Sequence, residues 1–302
     1  MTKVKPLLKW AGGKRRLLQT LFEVFPANFE LTRNNFFEPF VGGGAVLFGL
    51  ANHISAVEIG SLNKKQKSIK ISDTNEELIN FYKVVRDNPS ELLRKIKALA
   101  KSTDRDSFYS IRSSSPKTKA GRAARLLYLN RLCFNGLYRV NSNGDFNVPY
   151  GRYAKPNIYN PELIRACSAW LKNVKISEET FKDAVVEAKK GDLVYFDPPY
   201  IPLSATASFA SYAKEGFSEK DQRELAKVIA ALTKKGVYVV LSNSDTKLSR
   251  QIFGDLNLFA VPVGRSISAN GASRSKVNEL IGTNYPTDLM KNPSRFKKLR
   301  VC

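Results

Sequence analysis

The chain has 302 residues, of which 43% are hydrophobic, so it can bury a substantial core and disorder is excluded as its main state. It carries 49 Lys and Arg against 27 Asp and Glu, which gives a formal net charge of +22. Such an excess favours a polyanionic partner, because each basic group that meets a phosphate releases a condensed counterion. We therefore expect nucleic acid as the partner, with an anionic membrane surface as the second choice.

Several classes of protein are disfavoured. No stretch approaches the roughly 18 consecutive apolar residues of a membrane span, and the first residues reach Gly12 before a signal peptide can develop, so we expect a cytoplasmic protein. The cysteines Cys133, Cys167 and Cys302 lack metal-ligand spacing, which predicts reduced thiols. His53 is the only histidine, so a His base and a His-rich metal site are disfavoured and no metal is expected.

The first part of the chain predicts alternating strands and helices. Apolar runs bounded by turn residues predict a strand over residues 35–40 and a second strand over about 68–72. Helical patterns follow them at residues 44–51 and about 76–86. Asp73 then stands at the carboxyl end of the second strand.

The middle of the chain, residues 77–159, has a different pattern. It is helical and basic at first, and then Asn143-Gly144 lies between alternating residues, which predicts a β-hairpin. The strand pattern returns at residues 192–196 and 236–242, separated by an amphipathic helix over about 218–234. The simplest architecture is an α/β core domain built from residues 1–76 and 160–302, with residues 77–159 inserted as a second domain.

The sharpest motif is Asp197-Pro198-Pro199-Tyr200, directly after an apolar strand. Open α/β sheets bind ligands at the carboxyl ends of their strands. The prolines fix the backbone, and the Asp197 carboxylate and the Pro198 carbonyl only accept hydrogen bonds. An exocyclic amino group matches them, and holding its hydrogens frees the lone pair to attack a methyl group. Tyr200 offers a face for an extruded base. The alternative is a loop whose prolines merely end the strand.

A glycine turn, EPFVGGG at residues 38–44, follows the first predicted strand. Glycines at a helix N-terminus let the backbone approach a ligand closely. A dinucleotide site is the alternative, but the G-x-G-x-x-G pattern fails because Leu47 stands where glycine or alanine is required. Asp73 could accept hydrogen bonds from ribose hydroxyls or, alternatively, cap the helix that begins near Asn75.

The segment KWAGGK, residues 9–14, is similar to a phosphate loop in its Gly-Gly-Lys. Leu8 stands where that loop needs glycine, and Arg15 where it needs Ser or Thr, so nucleotide hydrolysis is disfavoured. Trp10 could lie near a cationic ligand, and Lys14 near a carboxylate such as that of methionine.

Together these segments resemble the α-group amino methyltransferases, in which KWAGGK, FxGxG and DPPY follow one another, and the match extends over most of the chain. It is similar above all to the Dam-like DNA adenine-N6 methyltransferases of the D12 class, including those of GATC-recognising restriction-modification systems. The resemblance implies a Rossmann-like S-adenosylmethionine-dependent methyltransferase sheet with an inserted helical plus β-hairpin DNA-recognition domain. It assigns the adenine to Asp197, Pro198, Pro199 and Tyr200, and the cofactor to Trp10, Lys14, Phe40, Gly42, Gly44, Asp73 and Asp197.

Residues 134–153, FNGLYRVNSNGDFNVPYGRY, resemble the hairpin with which Dam-like enzymes read GATC in the major groove. By that resemblance Arg139 grips a guanine through a bidentate pair, and Leu137 and Pro149 contact the thymine methyl group. The alternative is that Arg139 and Arg152 contact phosphates without base selectivity.

The same resemblance extends to further DNA contacts. It places Phe134 and Asn135 near the vacated base stack and Lys9 against the other guanine. Residues 201–212 would help to wall the adenine pocket, and residues 265–276, which are small and basic, would touch the DNA backbone. Solvated loops explain either segment nearly as well.

One segment departs from the family pattern. The basic stretch GSLNKKQKSIK, residues 60–70, lengthens the spacing between the glycine turn and Asp73. If the second strand instead ends at Glu58, the ribose ligand would move there. We favour Asp73, because SDTNEELINFY continues the family pattern.

We therefore expect a monomeric enzyme, with more than one copy per DNA allowed, that transfers a methyl group from S-adenosylmethionine to adenine N6 in double-stranded DNA by direct displacement. RNA adenine and DNA cytosine-N4 methylation are the alternatives within catalysis, although cytosine-N4 enzymes usually carry Ser where Asp197 stands. An inactive DNA-binding relative is the alternative outside catalysis, and the three intact motifs argue against it.

Overall fold

The computed structural model describes residues 3–53, 69–201, 217–263, 277–287 and 297–298. The chain divides into two compact units. We call residues 1–14, 41–180 and 212–214 the first unit, and residues 15–40, 181–211 and 215–302 the second unit.

Helices and strands are mixed along the described chain, which confirms the predicted α/β class. The helices are α1 (Leu18–Val24), α2 (Ala45–His53), α3 (Glu76–Asp87), α4 (Pro89–Leu99), α5 (Arg105–Ser113), α6 (Lys119–Leu132), α7 (Pro161–Leu171), α8 (Phe181–Ala184), α9 (Glu219–Lys234) and α10 (Lys247–Ile252). The strands are β1 (Phe36–Glu38), β2 (Ile69–Asp73), β3 (Val174–Glu178), β4 (Leu193–Phe196), β5 (Tyr238–Ser244), β6 (Asn257–Val263), β7 (Val277–Thr283) and β8 (Lys297–Lys298). A 3-10 turn covers Phe134–Gly136.

In the first unit, β2 and β3 pair in parallel and place Asp73 at the carboxyl end of β2. The predicted helical middle is present as the helices α3 to α6, and α3 packs against α6. Arg122 of α6 bonds to Glu76 and Glu77 of α3, at 2.7 Å each. These ion pairs join the start of α3, directly after Asp73, to α6.

In the second unit, six strands follow the order β1-β4-β5-β7-β6-β8. The strands β1, β4 and β5 are parallel, whereas β7 is antiparallel to both β5 and β6. Val194 and Leu241 pack with Leu225 of α9 in the core of this unit. Because parallel strands end at the same edge of a sheet, Phe40 after β1 and the DPPY motif after β4 leave the sheet side by side.

The predicted elements exist, but their ends differ by one or two residues. The strand predicted at 35–40 ends at Glu38, since Pro39 has no N–H for the strand ladder. The strand predicted at 236–242 begins at Tyr238, because Gly236 has a φ of +73° and forms a turn. It extends to Ser244, which pairs with β7.

The predicted hairpin closes through isolated bridges, of which Val140 to Phe146 is the inner one. The Asn141 side chain accepts hydrogen bonds from the backbone N–H of Asn143 and of Asp145, at 2.9 Å each, and Gly144 has a φ of +86°. This side chain builds the tip, as Asn does in turns of this kind. The assignment of residues 77–159 to a separate recognition domain stays a prediction.

Two of the three cysteines lie in the described part of the chain, and both are buried. Cys133 and Cys167 are free and fully buried, and burial raises the pKa of both thiols to about 12. Cys302 lies outside the described residues. Within the described ranges, no helix has the length and apolar character of a membrane span.

Candidate active site

The DPPY motif is held from behind by two buried amide side chains. Gln222 of α9 donates a hydrogen bond to the Pro199 carbonyl at 2.9 Å, and Asn243 of β5 donates to the Gln222 Oε1 at 3.1 Å. The Asn243 Oδ1 accepts from the Ile201 N–H at 3.2 Å. Both amides are at most 1% exposed. The backbone on either side of Tyr200 is therefore fixed by the protein interior as well as by the prolines.

Tyr200 is anchored at its far end. Its hydroxyl donates a hydrogen bond of 2.7 Å to the Glu279 Oε2 on β7. Burial, and then the negative charges of Asp197 and Glu279, raise the pKa of Tyr200 well above its usual value. The phenol therefore remains protonated and remains the donor.

Three carboxylates act on Tyr195, the buried tyrosine two residues before the DPPY motif. Burial raises the pKa of Tyr195 well above its usual value, and the charges of Asp197, Glu38 and Glu279 raise it further. Three negative side chains thus act on one buried position, in a chain whose net charge is +22. Such a group of carboxylates accepts N–H donors and stabilises positive charge that develops nearby.

Phe40 lies in an aromatic cluster. Its ring stacks on Phe181 with the centroids 5.5 Å apart, and Phe217 meets it edge-on at 5.5 Å. Sequence reasoning selected Phe40 but neither of the other rings. No local motif marks those two, since their relation to Phe40 arises only from the fold.

The glycine turn of the first unit is shaped by close packing. Gly42 and Gly44 have φ angles of +45° and +71°. A Cβ on Gly42 would lie 3.0 Å from Trp10 Cδ1, and one on Gly44 would lie 2.7 Å from the Tyr82 hydroxyl oxygen. The Tyr82 hydroxyl donates to the Gly42 carbonyl at 2.8 Å. We predicted these glycines from ligand approach alone, and contact with the two aromatic side chains is a further reason for them.

Asp73 ties the glycine turn to the end of β2. Its carboxylate accepts the Gly42 N–H at 3.2 Å and the Asn75 N–H at 3.0 Å. Burial raises the pKa of Asp73, while these backbone hydrogen bonds act to lower it. The alternative reading of Asp73 as the helix cap is wrong, because Asn75 caps α3 by accepting the Leu78 N–H at 3.0 Å.

Trp10 and Lys14 occupy fixed positions in the same unit. Trp10 stacks on Tyr138 with the ring centroids 5.2 Å apart and the planes 24° from parallel. Lys14 is 4% exposed and donates to the Gly12 carbonyl. Tyr138 was not selected from the sequence, although it directly precedes Arg139.

These residues fit the cofactor that the resemblance implies. Lys14 is a buried cation suited to a carboxylate, the Asp73 carboxylate at a strand end suits ribose hydroxyls, and Trp10 offers an aromatic face to a sulfonium. Among the described residues, no group of three or more His, Cys, Asp or Glu side chains could hold a metal ion.

Lys9 is fixed beside the hairpin by a buried asparagine. Its N–H donates to Asn130 Oδ1 at 2.8 Å, and Asn130 Nδ2 donates to the carbonyls of Lys9 at 2.7 Å and Gly136 at 3.1 Å. The Lys9 ammonium lies 4.4 Å from the centre of the Tyr153 ring. Through Asn130, 121 residues further along the chain, the structure thus brings Lys9 beside Gly136 and Tyr153 of the segment predicted to read DNA.

Most of the other predicted DNA contacts reach the surface. Phe134 is 51% exposed, which is unusual for a large apolar side chain. Asn135 and Arg152 each have a φ of +54°, an uncommon conformation outside glycine. Arg139, Asn135, Pro149 and Arg152 are exposed, whereas Leu137 is half-buried.

Three segments named from the sequence lie wholly or partly outside the described residues. Residues 202–212 and 265–276 lie outside the described residues, as do Glu58 and residues 60–68 of the basic stretch. Ile201 is described and is 7% exposed.

Comparison with known proteins gives a consistent result. The model of the family described as D12 class N6 adenine-specific DNA methyltransferase matches residues 10–267. The chain is 43% identical over 290 residues to the Type II methyltransferase M1.LlaDCHI of Lactococcus lactis subsp. cremoris, covering 93% of this chain and 96% of the relative. It is 39% identical over 302 residues to the Type II methyltransferase M.MjaIII of Methanocaldococcus jannaschii, covering 93% and 99%. It is 35% identical over 290 residues to the DNA adenine methylase of Escherichia coli K12, covering 95% and 97%.

Proposed function

Since the chain belongs to the D12 class of N6 adenine-specific DNA methyltransferases, we propose that it methylates adenine N6 at GATC in duplex DNA, as a monomer in solution. The observation that carries the proposal is the DPPY motif, held from behind by Gln222 and Asn243 and bonded to Glu279 through the Tyr200 hydroxyl. S-Adenosylmethionine, the donor that the family implies, supplies an electrophilic methyl group.

The DPPY motif would act through acceptors and charge. The Asp197 carboxylate and the Pro198 carbonyl would accept the two hydrogens of the adenine amino group, which frees its lone pair to attack the methyl carbon. The bond from that carbon to the sulfonium sulfur would break in the same step, and S-adenosylhomocysteine would be the leaving group. As N6 gains a bond it becomes positive until it gives one proton to water, and the charges of Asp197 and Glu38 would favour that change. Tyr200 stacks on the base, which must leave the duplex to be reached.

The residues of the first unit would hold the cofactor. Lys14 would pair with its carboxylate, Asp73 would accept hydrogen bonds from its ribose hydroxyls, and Trp10 would offer an aromatic face to its sulfonium. Gly42 and Gly44 keep the turn tight, so that Asp73 stays bonded to the Gly42 N–H. The resemblance also assigns Phe40 to the cofactor, and its ring, stacked on Phe181, would offer an apolar aromatic face.

Specificity for GATC is supported by the hairpin. Its sequence resembles the segment with which Dam-like enzymes read that site, and Arg139 is exposed on it. Lys9 is fixed beside the same segment through Asn130. Arg139 would pair with one guanine and Lys9 with the other.

The decisive experiment is expression in a host that lacks DNA methylation, followed by digestion with endonucleases that distinguish methylated from unmethylated GATC. We expect the DNA to resist the enzyme that is blocked by N6-methyladenine. Complete cutting, together with N6-methyladenine found by nucleoside mass spectrometry, would overturn GATC as the site but not the reaction. N4-methylcytosine in place of N6-methyladenine would overturn the reaction itself.

The catalytic assignment predicts the effect of Asp197→Ala. We expect methyl transfer from labelled cofactor to fall by roughly a thousandfold or more. The variant loses both the carboxylate that accepts a hydrogen bond from the adenine amino group and its negative charge. The thermal midpoint of unfolding should stay within a few degrees. Asp106→Ala, at an exposed acid of α5, is the matched control and should keep full turnover. Near-normal turnover of Asp197→Ala would refute the site.

A further inference from the structure

Glu279 is a carboxylate that no sequence motif singled out. It lies on β7, opposite Ser244 of β5 on one side and Val261 of β6 on the other. Its backbone is therefore held by two neighbouring strands. Its Oε2 accepts a hydrogen bond of 2.7 Å from the hydroxyl of Tyr200, 79 residues away in the sequence.

We propose that Glu279 is a positioning residue, which sets the plane of the Tyr200 ring on which the target adenine stacks. The inference rests on the proposed function, in which Tyr200 contacts the extruded base. It adds a residue outside the DPPY motif to the set that prepares the adenine for transfer.

The Tyr200 side chain has little freedom to change its orientation. The orientation of a tyrosine ring depends on two torsions once its backbone is fixed. Pro198 and Pro199 restrict the backbone before Tyr200, and the Asn243 Oδ1 accepts from the Ile201 N–H after it. A hydrogen bond at the hydroxyl then fixes the far end of the ring, which leaves little rotation about either torsion.

The acceptor is suited to this role. Hydrogen bonds to a carboxylate are shorter and stronger than those between neutral groups. Burial and the nearby carboxylates raise the pKa of Tyr200, so it stays the donor at any pH at which the enzyme is assayed. A stacking face that is already oriented needs no rearrangement when the base arrives, and orientation of this kind raises turnover more than it raises affinity.

The test is a double-mutant cycle on a duplex that carries a single GATC, at saturating cofactor and DNA. Tyr200→Phe removes the donor and keeps the ring, Glu279→Ala removes the acceptor, and the third protein carries both changes. We expect each single change to lower kcat about tenfold, the size of one lost charge-assisted hydrogen bond, with the KM for DNA changed less than threefold. The double variant should be no slower than the slower single variant.

Two further variants test whether the hydrogen bond from Tyr200 to residue 279, and not the loss of a carboxylate in general, accounts for the effect. Glu279→Gln keeps an acceptor oxygen in the same place and should recover most of the lost turnover relative to Glu279→Ala. Glu219→Ala removes an exposed glutamate of α9 and should match the parent protein. Replacing the target adenine by 2-aminopurine reports stacking on Tyr200, and we expect brighter fluorescence with Glu279→Ala than with the parent, since this variant keeps the tyrosine but lets its ring turn freely.

The outcomes separate the two proposals. If the parent protein methylates DNA and Glu279→Ala keeps its kcat, or if the losses of the two single variants multiply in the double, the positioning role is overturned and the function stands. If the parent protein transfers no methyl group to DNA, the proposed function fails first. If circular dichroism shows that Glu279→Ala does not fold, Tyr200→Phe decides alone, because it is nearly isosteric with the parent. A kcat equal to that of the parent then overturns the role.

Discussion

Arg139 presents a charged side chain whose plane is fixed before DNA binds. Its Nε donates to the Asn147 Oδ1 at 2.7 Å, and the residue is exposed. A guanidinium recognises guanine with two parallel hydrogen bonds, so the orientation of its plane decides whether both can form. Asn147 is therefore part of the arrangement that makes Arg139 a candidate for reading a base.

Replacing Arg139 by alanine separates base reading from phosphate contact. We expect the variant to lose discrimination at one guanine of the site by about 1–3 kcal/mol, the cost of one bidentate contact. The measurement is kcat/KM on a set of duplexes substituted at each position of GATC. Arg223→Ala, which removes an exposed arginine of α9, is the control. Equal weakening on every duplex would make Arg139 a phosphate contact instead.

The sequence marks the residues that do chemistry more clearly than those that hold them. Asp197 and Tyr200 could be selected because their side chains and neighbours suggest a reaction with an amino group. Glu279, Gln222 and Asn243 could not, since each acts through a partner at least 20 residues away. A buried polar side chain must find such a partner, but the sequence does not say which one.

Among the elements, strands and helices with strong apolar patterns were predicted well. The strand β4 was predicted one residue early, at Asp192, whose carboxylate instead bonds to the N–H of Asn35 at 2.7 Å. Strand β6 was given no bounds, and Pro262 inside it is unfavourable for a strand. Strand β3 also received none, because its alternation of buried and exposed residues extends over only five residues, too few to stand out in the sequence.

The C-terminal turn of α6 connects two motifs that lie far apart in the sequence. Asn130, fully buried in that turn, bonds to Lys9 in the KWAGGK segment and to Gly136 at the start of the hairpin. A Cβ on Gly136 would lie 2.4 Å from the Cβ of Lys9, so the two segments are in close contact. The position of Lys9 thus depends on one amide side chain of a helix.

Removing that amide should cost both stability and DNA recognition. We expect Asn130→Ala to lower the free energy of unfolding by about 1–3 kcal/mol, because buried backbone groups lose their partners. The KM for DNA should rise as Lys9 loses its position. Urea denaturation and steady-state kinetics measure the two effects. Asn157→Ala, at an exposed loop position, is the control. A destabilised variant with the parent KM would show that Asn130 serves the fold alone.

Over the whole molecule, positive and negative charges are suited to different tasks. The net charge of +22 suits attraction to the DNA backbone, which carries no sequence information. The carboxylates Asp197, Glu38 and Glu279 gather instead near one buried tyrosine. General affinity and local chemistry therefore depend on charges of opposite sign, and salt should affect them differently.

Salt dependence tests this division and the role of Arg152. We expect the logarithm of the KM for DNA to rise linearly with the logarithm of salt concentration, while the KM for the cofactor changes little, because only DNA binding releases condensed counterions.

Arg152 is exposed on the hairpin, and Arg152→Ala should lower the slope by about one if it contacts a phosphate. Arg223→Ala should leave the slope unchanged, since its arginine pairs with Glu219. An unchanged slope in Arg152→Ala would remove that residue from the phosphate contacts.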